Sequence, residues 1–553
     1  MSLSLALGSA TSSLRSIQSE LAIASNNIAN ADTDGYTVKS AVKVSTTVGG
    51  NGIGTGVTIQ GVTSGVDANL LKTIVVATSE SAEASTTSAF LDMLGEILGQ
   101  LSSGGSGDTL SSKLSELKAS FEELAATPES ETLKTQTVLQ LADLTASLRD
   151  MSAQVQDLRA QADSGIETAV ATVNSTLHAI DELNVSIVQS QARGESTADL
   201  EDQRMVLVTG LAAQMNVSYF TDSTGAMTIY TGGYPLLNSS VHELSYQAAG
   251  TVTSQTVYPG GFDAITLDGR DVTGTIKSGA IAALVETRDE TLVDTQDSLD
   301  AIAQDLMDQL NGLANQGSAL PPPQSLTGSA TGFAGTDALS ATGTLTVALA
   351  GSDGQTSTTT DIDMTTVTTI DDLLAQLNAI SGISASLDTD GGLVVASTDS
   401  ALGVVVSGGD VGGKTVSAAF GLNDILTGTG AENLYLQANL AADPSLLPLA
   451  SLDGDSLGLG AGALAQDMAD AISTTSAATL ISDIGAKAEA ASSRAASKET
   501  TLTTLTDSFS SRYGVNVDEE TARISQLENA YSASAQVLSA VQEMFDALLS
   551  AVR

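Results

Sequence analysis

The sequence predicts an α+β protein with terminal coiled-coil helices, a rod of long bundled helices, and two β-rich insertions. Apolar residues at alternating steps of three and four mark a helix at each end of the chain. Between them runs a helical pattern of about 60 residues, which as one helix would extend ~90 Å. Two stretches rich in Thr, Gly and β-branched residues interrupt the helical patterns.

The first and last predicted helices each carry a narrow apolar stripe. The first stripe consists of Leu7, Leu14, Ile17, Leu21, Ala24 and Ile28. The last consists of Leu527, Tyr531, Ser534, Leu538, Val541, Phe545, Leu548 and Val552. This spacing is that of a coiled-coil seam, and a lone helix cannot bury such a stripe. We therefore expect both stripes to form an assembly interface with neighbouring chains. Packing into the subunit's own core is the alternative.

Two strands are predicted after the first helix. Tyr36, Val38, Val42 and Val44 alternate with Lys39 and Lys43, which is typical of a strand with one wet face. A second strand is predicted at about 57–62. Together with the end helices, these strands define a terminal domain of residues 1–65 and 513–553.

Long helices are predicted for most of the remaining chain. One helix is expected to end at Pro128, and a much longer one is marked from Leu141 towards Gly194. The ranges that we assign to this rod of helices are 66–215, 276–320 and 431–512.

Two segments break the helical pattern. Residues 216–275 contain "VSYFTDSTGAMTIYTGG", two β-rich runs around a polar turn, and are predicted to form a small β-domain. Residues 321–430 begin with three prolines, which predict a stiff linker. They continue with the strand patterns "GTLTVAL", "LVVAS" and "GVVVSG" and with a Thr-capped helix, "TTIDDLLAQLNAISG". We assign them to an inserted α+β domain.

Charge and composition exclude several partners. The net charge of −44 disfavours nucleic acid and anionic membranes. Cysteine is absent, which excludes disulfides and thiolate metal sites. No apolar run is long enough for a transmembrane helix. The N-terminal "MSLSLALGSATSSLRS" lacks a basic region before its apolar residues, so we expect export, if any, without a cleavable signal peptide.

The segment "ANADTDGY", residues 29–36, has the alternating Asn and Asp of an EF-hand loop. Counted from Asn30, position twelve of that loop is Ala41, where calcium needs a bidentate carboxylate. We therefore predict a joint instead. Asn30 and Asp32 would bond back to the backbone, and Gly35 would supply a positive φ.

The segment "GGDVGGKT", residues 408–415, matches the phosphate-binding P-loop. Only a short segment separates it from Gly421, too little for the helix that should hold the phosphates. We predict a Gly-rich turn with Lys414 exposed. His178 and His242 have no evident partners in the sequence, and we find no catalytic, cofactor-binding or metal site.

The first helix and its joint resemble a known protein family. "SNNIANADTDGY", residues 25–36, is similar to the motif after the first helix of bacterial flagellar rod, hook and hook-associated proteins. The matching positions include Asn26, Asn27, Ile28, Ala29, Asn30, Gly35 and Tyr36, whereas Asp34 stands where the family usually has proline. The C-terminal "LENAYSASAQVLSAVQEMFDALL" resembles the last helix of the same family.

Central segments narrow this resemblance to the hook-associated proteins that join hook to filament. They include "ADLEDQR", "RDETLVDTQDSLDAIAQDLMDQLNGLANQG" and "LAADPSLL". The resemblance implies that the terminal helices pair and line an inner tube, with the long helices around them and the insertions outermost.

The resemblance also implies partners and a location. The partners would be copies of this chain in a ring, hook protein on one side and the next hook-associated protein on the other, with no nucleic acid and no membrane. A cytoplasmic export chaperone would cover the C-terminal helix before type III export to the extracellular flagellum. Another axial protein, of hook or rod, is the first alternative. A secreted surface adhesin is the second, and an NTPase, resting only on residues 408–415, is the third.

Overall fold

The computed structural model describes residues 3–48, 53–99 and 109–552. The chain begins with α1 (Leu3–Ala29), the antiparallel hairpin β1 (Lys39–Val48) and β2 (Ile53–Ser64), and α2 (Ala68–Ile97). Outside the described residues lie both ends of the predicted terminal domain and the part of the predicted rod between α2 and the next helix. The side chain of Val552 is also outside them.

The longest element is one continuous helix, as the apolar periodicity predicts. After α3 (Leu110–Ala126), α4 runs for 63 residues from Glu131 to Arg193 and is followed by α5 (Ala198–Gln214). The Ser130 hydroxyl caps the first turn of α4, and Gly194 ends the helix in the left-handed conformation at φ 73°. The predicted rod of long helices is confirmed in this α+β chain.

Short strands follow α5 and lie against the helices. They are β3 (Ser218–Thr221), β4 (Met227–Thr231), β5 (Tyr234–Leu237), β6 (Leu244–Ser245), β7 (Thr266–Leu267) and β8 (Arg270–Asp271). β3–β4–β5 and β6–β7–β8 form two three-stranded sheets. Their apolar side chains share one core with the second half of α4, with α5 and with α6 (Ala280–Glu286). The predicted hairpin at the start of residues 216–275 is present as β3 and β4.

The first half of α4 belongs to a second helical core. A π-helical turn at Thr287–Thr291 leads from α6 into α7 (Leu292–Ala314). α7 packs with α3, α4 and the end of α2, so that α4 is buried along most of its length by two sets of neighbours.

Residues 326–422 form a core of their own. Its elements are β9 (Ser325–Thr327), β10 (Ala341–Ala350), β11 (Thr356–Asp363), α8 (Ile370–Asn378), β12 (Ile383–Leu387), β13 (Leu393–Ser397), β14 (Gly403–Val411) and α9 (Val416–Phe420). The sheet orders are β11–β10–β14 and β12–β13–β9. Thr369 and Asp372 form the capping box of α8. Pro322 is buried and the Val404 amide donates to the Pro323 carbonyl at 2.8 Å, so the predicted linker is packed against these sheets.

The chain then returns to the helices. This part contains β15 (Leu426–Thr427), β16 (Tyr435–Leu436), α10 (Ala438–Ala442), β17 (Ser451–Asp453), β18 (Ser456–Gly458), α11 (Ala463–Ala471), α12 (Thr475–Tyr513) and α13 (Val517–Val552). α12 lies antiparallel to α2, with Lys498 and Arg494 paired to Glu80 and Glu83. Its buried side chains are confined to its first third, at Ala477, Leu480 and Ile484.

A buried ion pair holds the π-helical turn against α4. Arg288 in the turn and Asp163 in α4 are each 1% exposed, and Nη1 of Arg288 donates to Oδ1 of Asp163 at 2.7 Å. Asp163 also accepts from the Tyr246 hydroxyl and from the Ala249 amide at 2.7 Å. Phe262 covers the guanidinium, whose carbon lies 4.1 Å from the ring centroid. Asp163 thus connects α4, the π-helical turn and the segment between β6 and β7 that contains Tyr246 and Ala249.

We predict that Asp163→Asn destabilises the helical body by about 1.5–3 kcal/mol, because buried Arg288 loses one charged hydrogen-bond partner and keeps only Asp289, which it contacts at 2.8 and 2.9 Å. Urea denaturation followed by circular dichroism measures this change. Asp143→Asn is the matched control, since Asp143 pairs with Lys113 on the surface and such pairs contribute at most ~1 kcal/mol. Equal losses for the two variants would contradict the assignment.

Candidate assembly interface

The two ends of the chain pair with each other. α1 and α13 lie antiparallel: the hydroxyls of Ser13 and Ser534 are 3.2 Å apart, and Nε2 of Gln18 donates to the Tyr531 hydroxyl at 3.3 Å. The stripes predicted from the sequence face each other along this contact. The pair is a two-helix layer, because α13 packs on no other helix of the described chain to a comparable extent.

The stripes are only half covered by this pairing. Ile17, Ala24 and Val541 are buried, whereas Leu548 is 52% exposed. The other predicted interface residues are partly buried: Leu7, Leu14, Leu21, Ile28, Leu527, Tyr531, Leu538 and Phe545. One chain therefore cannot bury the apolar surface that its terminal helices carry, and a role of these residues between chains stays a prediction.

α13 has a further apolar ridge along one edge of the stripe that pairs with α1. Its side chains Val537, Met544, Leu548 and Leu549 are all at least half exposed. Val537, Met544 and Leu548 follow helical spacing and so lie on one side. An exposed apolar ridge of this length is typical of a surface that contacts another protein.

The β1–β2 hairpin lies on α1. The Val57 amide donates to the Ser12 hydroxyl at 3.2 Å, and Nζ of Lys43 lies 3.1 Å from the buried carboxylate of Glu20. Lys39 is buried, whereas Val42 and Val44 are about 40% exposed. The hydropathy of the alternating pattern therefore misleads at Lys39, which is buried beside the carboxylate of Asp202, whereas the Lys43 side chain is 48% exposed.

Asn27 closes the joint between α1 and β1. Its side chain is fully buried and exchanges two 3.0 Å hydrogen bonds with the backbone of Lys39. Its carbonyl oxygen also accepts from the Tyr36 hydroxyl at 3.0 Å. The chain between α1 and β1 is thereby folded back on the end of the helix.

The segment that resembles an EF-hand loop forms this joint. Nδ2 of Asn30 donates to the Asn26 carbonyl at 2.9 Å, and Gly35 has φ 72°, as predicted. A Cβ at Gly35 would lie 2.3 Å from the Val206 side chain, so glycine is needed for space as well as for conformation. Asp32 and Asp34 are exposed. Within residues 3–48, 53–99 and 109–552, no three His, Asp or Glu side chains are arranged to hold a metal ion.

Asp202 of α5 holds the joint against the helical body. Its carboxylate accepts from the Thr37 amide at 2.8 Å, from the Thr37 hydroxyl at 2.9 Å, and from the Lys39 ammonium. The Val38 amide donates to the carbonyl of Tyr513, the last residue of α12, at 2.7 Å. Both ends of the chain therefore leave the body at one point.

A groove of about 580 Å³ lies beside this point. Its walls come from the joint, α2, α5 and α12, and include Thr37, Leu71, Val206, Leu502 and Phe509. The space separates the end of α12 from α5, so that on this side the joint has few side-chain contacts beyond that of Gly35 with Val206.

The P-loop-like segment does not form a phosphate-binding loop. Gly408–Val411 lie inside strand β14, paired with β10, and α9 has only five residues. Lys414 is exposed on a turn, as predicted from the sequence.

The expectation that the histidines have no partners was wrong. Nε2 of His178 lies 2.7 Å from the Glu243 carboxylate, and Nδ1 of His242 lies 2.8 Å from the Asp268 carboxylate. These partners are 65 and 26 residues away in the chain, so the fold and not local sequence brings them together. Both pairs are on the surface.

Comparisons with known proteins show that the chain is similar to flagellar proteins along most of its length. Residues 96–328 match the family described as flagellar hook-associated protein FlgK helical domain. Residues 7–37 match flagella basal body rod protein, and 507–551 match the C-terminal family of flagellar basal body rod FlgEFG proteins. Residues 344–399 match the flagellin hook IN motif. Flagellar hook-associated protein 1 of Escherichia coli K12 is 25% identical, over 98% of this chain and 99% of its own length.

The chain belongs to the flagellar hook-associated protein 1 family. The protein of that name from Salmonella typhimurium is 23% identical, over 98% of both chains. The solved structure of the flagellar hook junction protein FlgK from Burkholderia pseudomallei aligns with a TM-score of 0.49 and 15% identity, over 79% of this chain and 99% of that one. This last similarity is too low to bear on the assignment. The resemblance to this family predicted from the sequence is confirmed.

In this family member, the N-terminal match contains the joint and the helical-domain match contains the residue that pins it. The residues that sequence reasoning missed are Thr37, Lys39, Asp202 and Tyr513. The segment "ADLEDQR", residues 198–204, resembled the family, but nothing local indicates that its second aspartate reaches a backbone amide 165 residues away. None of the helices in the described part of the chain is both long and apolar enough to span a bilayer.

Tyr36 provides a spectroscopic probe of the joint. Burial, with the nearby carboxylates of Asp199, Asp202 and Glu520, raises the pKa of Tyr36 to about 12. Because the folded state favours the neutral phenol, this contribution to stability is complete below about pH 10 and is lost as the pH rises through about 12.

We predict that one tyrosine in the native chain ionises near pH 12 and that Tyr36→Phe removes this step. Ultraviolet absorbance of tyrosinate, titrated for both proteins, gives the difference curve for one of the nine tyrosines. A difference curve centred near 10 would show that the joint is open in solution, provided that the variant keeps the native circular dichroism spectrum.

Proposed function

We propose that this chain is a structural, non-enzymatic component of the bacterial flagellum that forms the junction between hook and filament. It assembles with other flagellar components through its terminal helices and acts outside the cell. The observation that carries this proposal, besides family membership, is that one chain leaves the stripes of α1 and α13 half covered. Neighbouring copies in a ring would supply the missing contacts.

The mechanism that we infer is ordering of the ends upon assembly. Full burial of one Leu, Ile or Phe side chain contributes ~1.5–3 kcal/mol, and ordering the backbone opposes it. In the single chain, the half-buried stripe recovers only part of this free energy. Contact with neighbouring copies would bury the rest, and so would stabilise the ends where they are needed.

The layers that we propose follow the ranges predicted from the sequence. Residues 1–65 and 513–553 would line the inner tube, and the helices of 66–215, 276–320 and 431–512 would surround it. Residues 321–430 would be outermost, which the separate core of 326–422 supports. Residues 216–275 share a core with α4 and α5, so we propose that they project as part of the helical layer.

The partners that we propose are hook protein on one side of the ring and the next hook-associated protein on the other. An export chaperone would cover the C-terminal helix in the cytoplasm, which the exposed ridge of α13 supports. The subunit would leave the cell without a cleavable signal peptide. A hook or rod protein is the alternative, because the matches at 7–37 and 507–551 are to rod-protein families. The central match at 96–328 favours the hook-associated role.

We predict that Leu538→Asp and Leu548→Asp both yield hooks without filaments. Leu538 is half buried between α1 and α13, so aspartate there breaks the pair, whereas Leu548 is exposed and its variant keeps the pair. Electron microscopy of cells counts filaments. Ser539→Asp, on the exposed side of α13, is the matched control and should leave filament number unchanged.

Two further measurements test the junction location and the assembly mechanism separately. Immunogold labelling should place the wild-type protein in a single band above the hook, and labelling along the filament would contradict the junction role. Hydrogen exchange of the dilute monomer should show weakly protected amides in α13 and strongly protected ones in α4. Full protection of α1 and α13 in the monomer, or normal filaments on both leucine variants, would contradict the assembly mechanism.

A further inference from the structure

The terminal helices join the helical body through very few polar groups. We infer that the carboxylate of Asp202 is a positioning residue, which sets the direction in which the α1–α13 pair and the β1–β2 hairpin leave the body. This inference rests on the proposed function for its biological meaning. The contact itself can be tested on the isolated chain.

The carboxylate accepts hydrogen bonds from Thr37 and Lys39, which lie two positions apart at the start of the hairpin. Oδ2 of Asp202 accepts from the Thr37 amide at 2.8 Å, both oxygens lie within 3.0 Å of the Thr37 hydroxyl, and the Lys39 ammonium is also bonded to Oδ2. A backbone amide has one direction, so its bond to Asp202 fixes the orientation of the chain as well as its distance. The joint is therefore held at a defined angle.

Burial makes this contact hard to replace with water. The Lys39 side chain is 3% exposed and that of Asp202 is 12% exposed. Asp199, one helical turn earlier, lies 3.8 Å from the Lys39 ammonium but is 57% exposed. A buried ammonium that loses its one buried anion has a strong tendency to move into solvent, and Lys39 would carry the base of β1 with it.

Because a groove lies beside the joint, these polar contacts set the angle between the hairpin and the helical body. With about 580 Å³ of space between α5, α2 and the end of α12, few apolar side chains press on Thr37 from that side. The Gly35 backbone touches Val206 on α5, and the Val38 amide holds the end of α12. Because Val38 and Thr37 are adjacent, a shift at Asp202 would move the start of α13 together with the hairpin.

In an assembly, this angle decides whether neighbouring stripes meet. Contacts between copies repeat around the ring, so an angular spread in each subunit prevents the apolar ridges from aligning. Asp202 would thus act on assembly without touching a neighbouring subunit.

Spin labels can measure the angle because the chain has no cysteine. Ser40→Cys on β1 and Ser186→Cys on α4 are both exposed positions, one on each side of the joint. Pulsed electron resonance on the full chain should give one narrow distance distribution. Asp202→Asn should broaden or shift it, and Asp199→Asn should leave it narrow. Exchange of the amides of residues 36–40 should accelerate roughly tenfold or more in Asp202→Asn alone.

The outcomes separate this inference from the proposed function. A narrow, unshifted distribution in Asp202→Asn, or a broad one in the wild-type background, would overturn the positioning role. Thr37→Val, which removes one donor, replaces Asp202→Asn if the latter loses its helical circular dichroism. A broadened joint with normal filaments would also overturn the role in assembly. A deletion strain that still grows filaments would reject the junction function itself and leave the distance result standing.

Discussion

The rest of this structure depends on the apolar seam between α1 and α13, which one chain buries only in part. Two antiparallel helices with a narrow stripe on each can cover only one side of that stripe, and Leu548 and its neighbours on α13 stay in solvent. The ends of a single chain are therefore its least buried part, whereas α4 is buried over most of its length. The molecule combines a self-sufficient body with ends whose apolar surface is complete only beside other copies.

This division explains why the connection between the two parts is polar. A wide apolar contact would bind the ends to the body and cover the stripes that neighbouring copies have to reach. Asn27 folds the chain back at the end of α1, and Asp202 pins the next residues to α5. Hydrogen bonds to backbone amides fix the direction of the chain through a small contact area. Apolar packing against the groove beside α12 would not fix that direction.

Much of the architecture follows from periodicity in the sequence. The stripes, the 63-residue helix, the hairpin after Asn216 and the Thr369 cap each depend on residues within a few turns of one another, where spacing is informative. The joint could be predicted in part: Asn30 and Gly35 act locally, and they behave as the residue types suggest. Asp202, Tyr513 and the carboxylate partners of His178 and His242 could not be predicted, because each contact spans a long stretch of chain.

Local pattern also misleads where charge is buried. Hydropathy places lysines in water, yet Lys39 lies inside because Asp202 supplies its anion, whereas the apolar Val42 and Val44 are about 40% exposed. The residues alone were sufficient to specify helices, strands, the acidic character and the apolar edges at both ends, since these depend on composition and short-range spacing. Which carboxylate meets which amide, which side of the hairpin is wet, and how the ends leave the body were settled by folding in three dimensions, because those contacts exist only once distant segments are brought together.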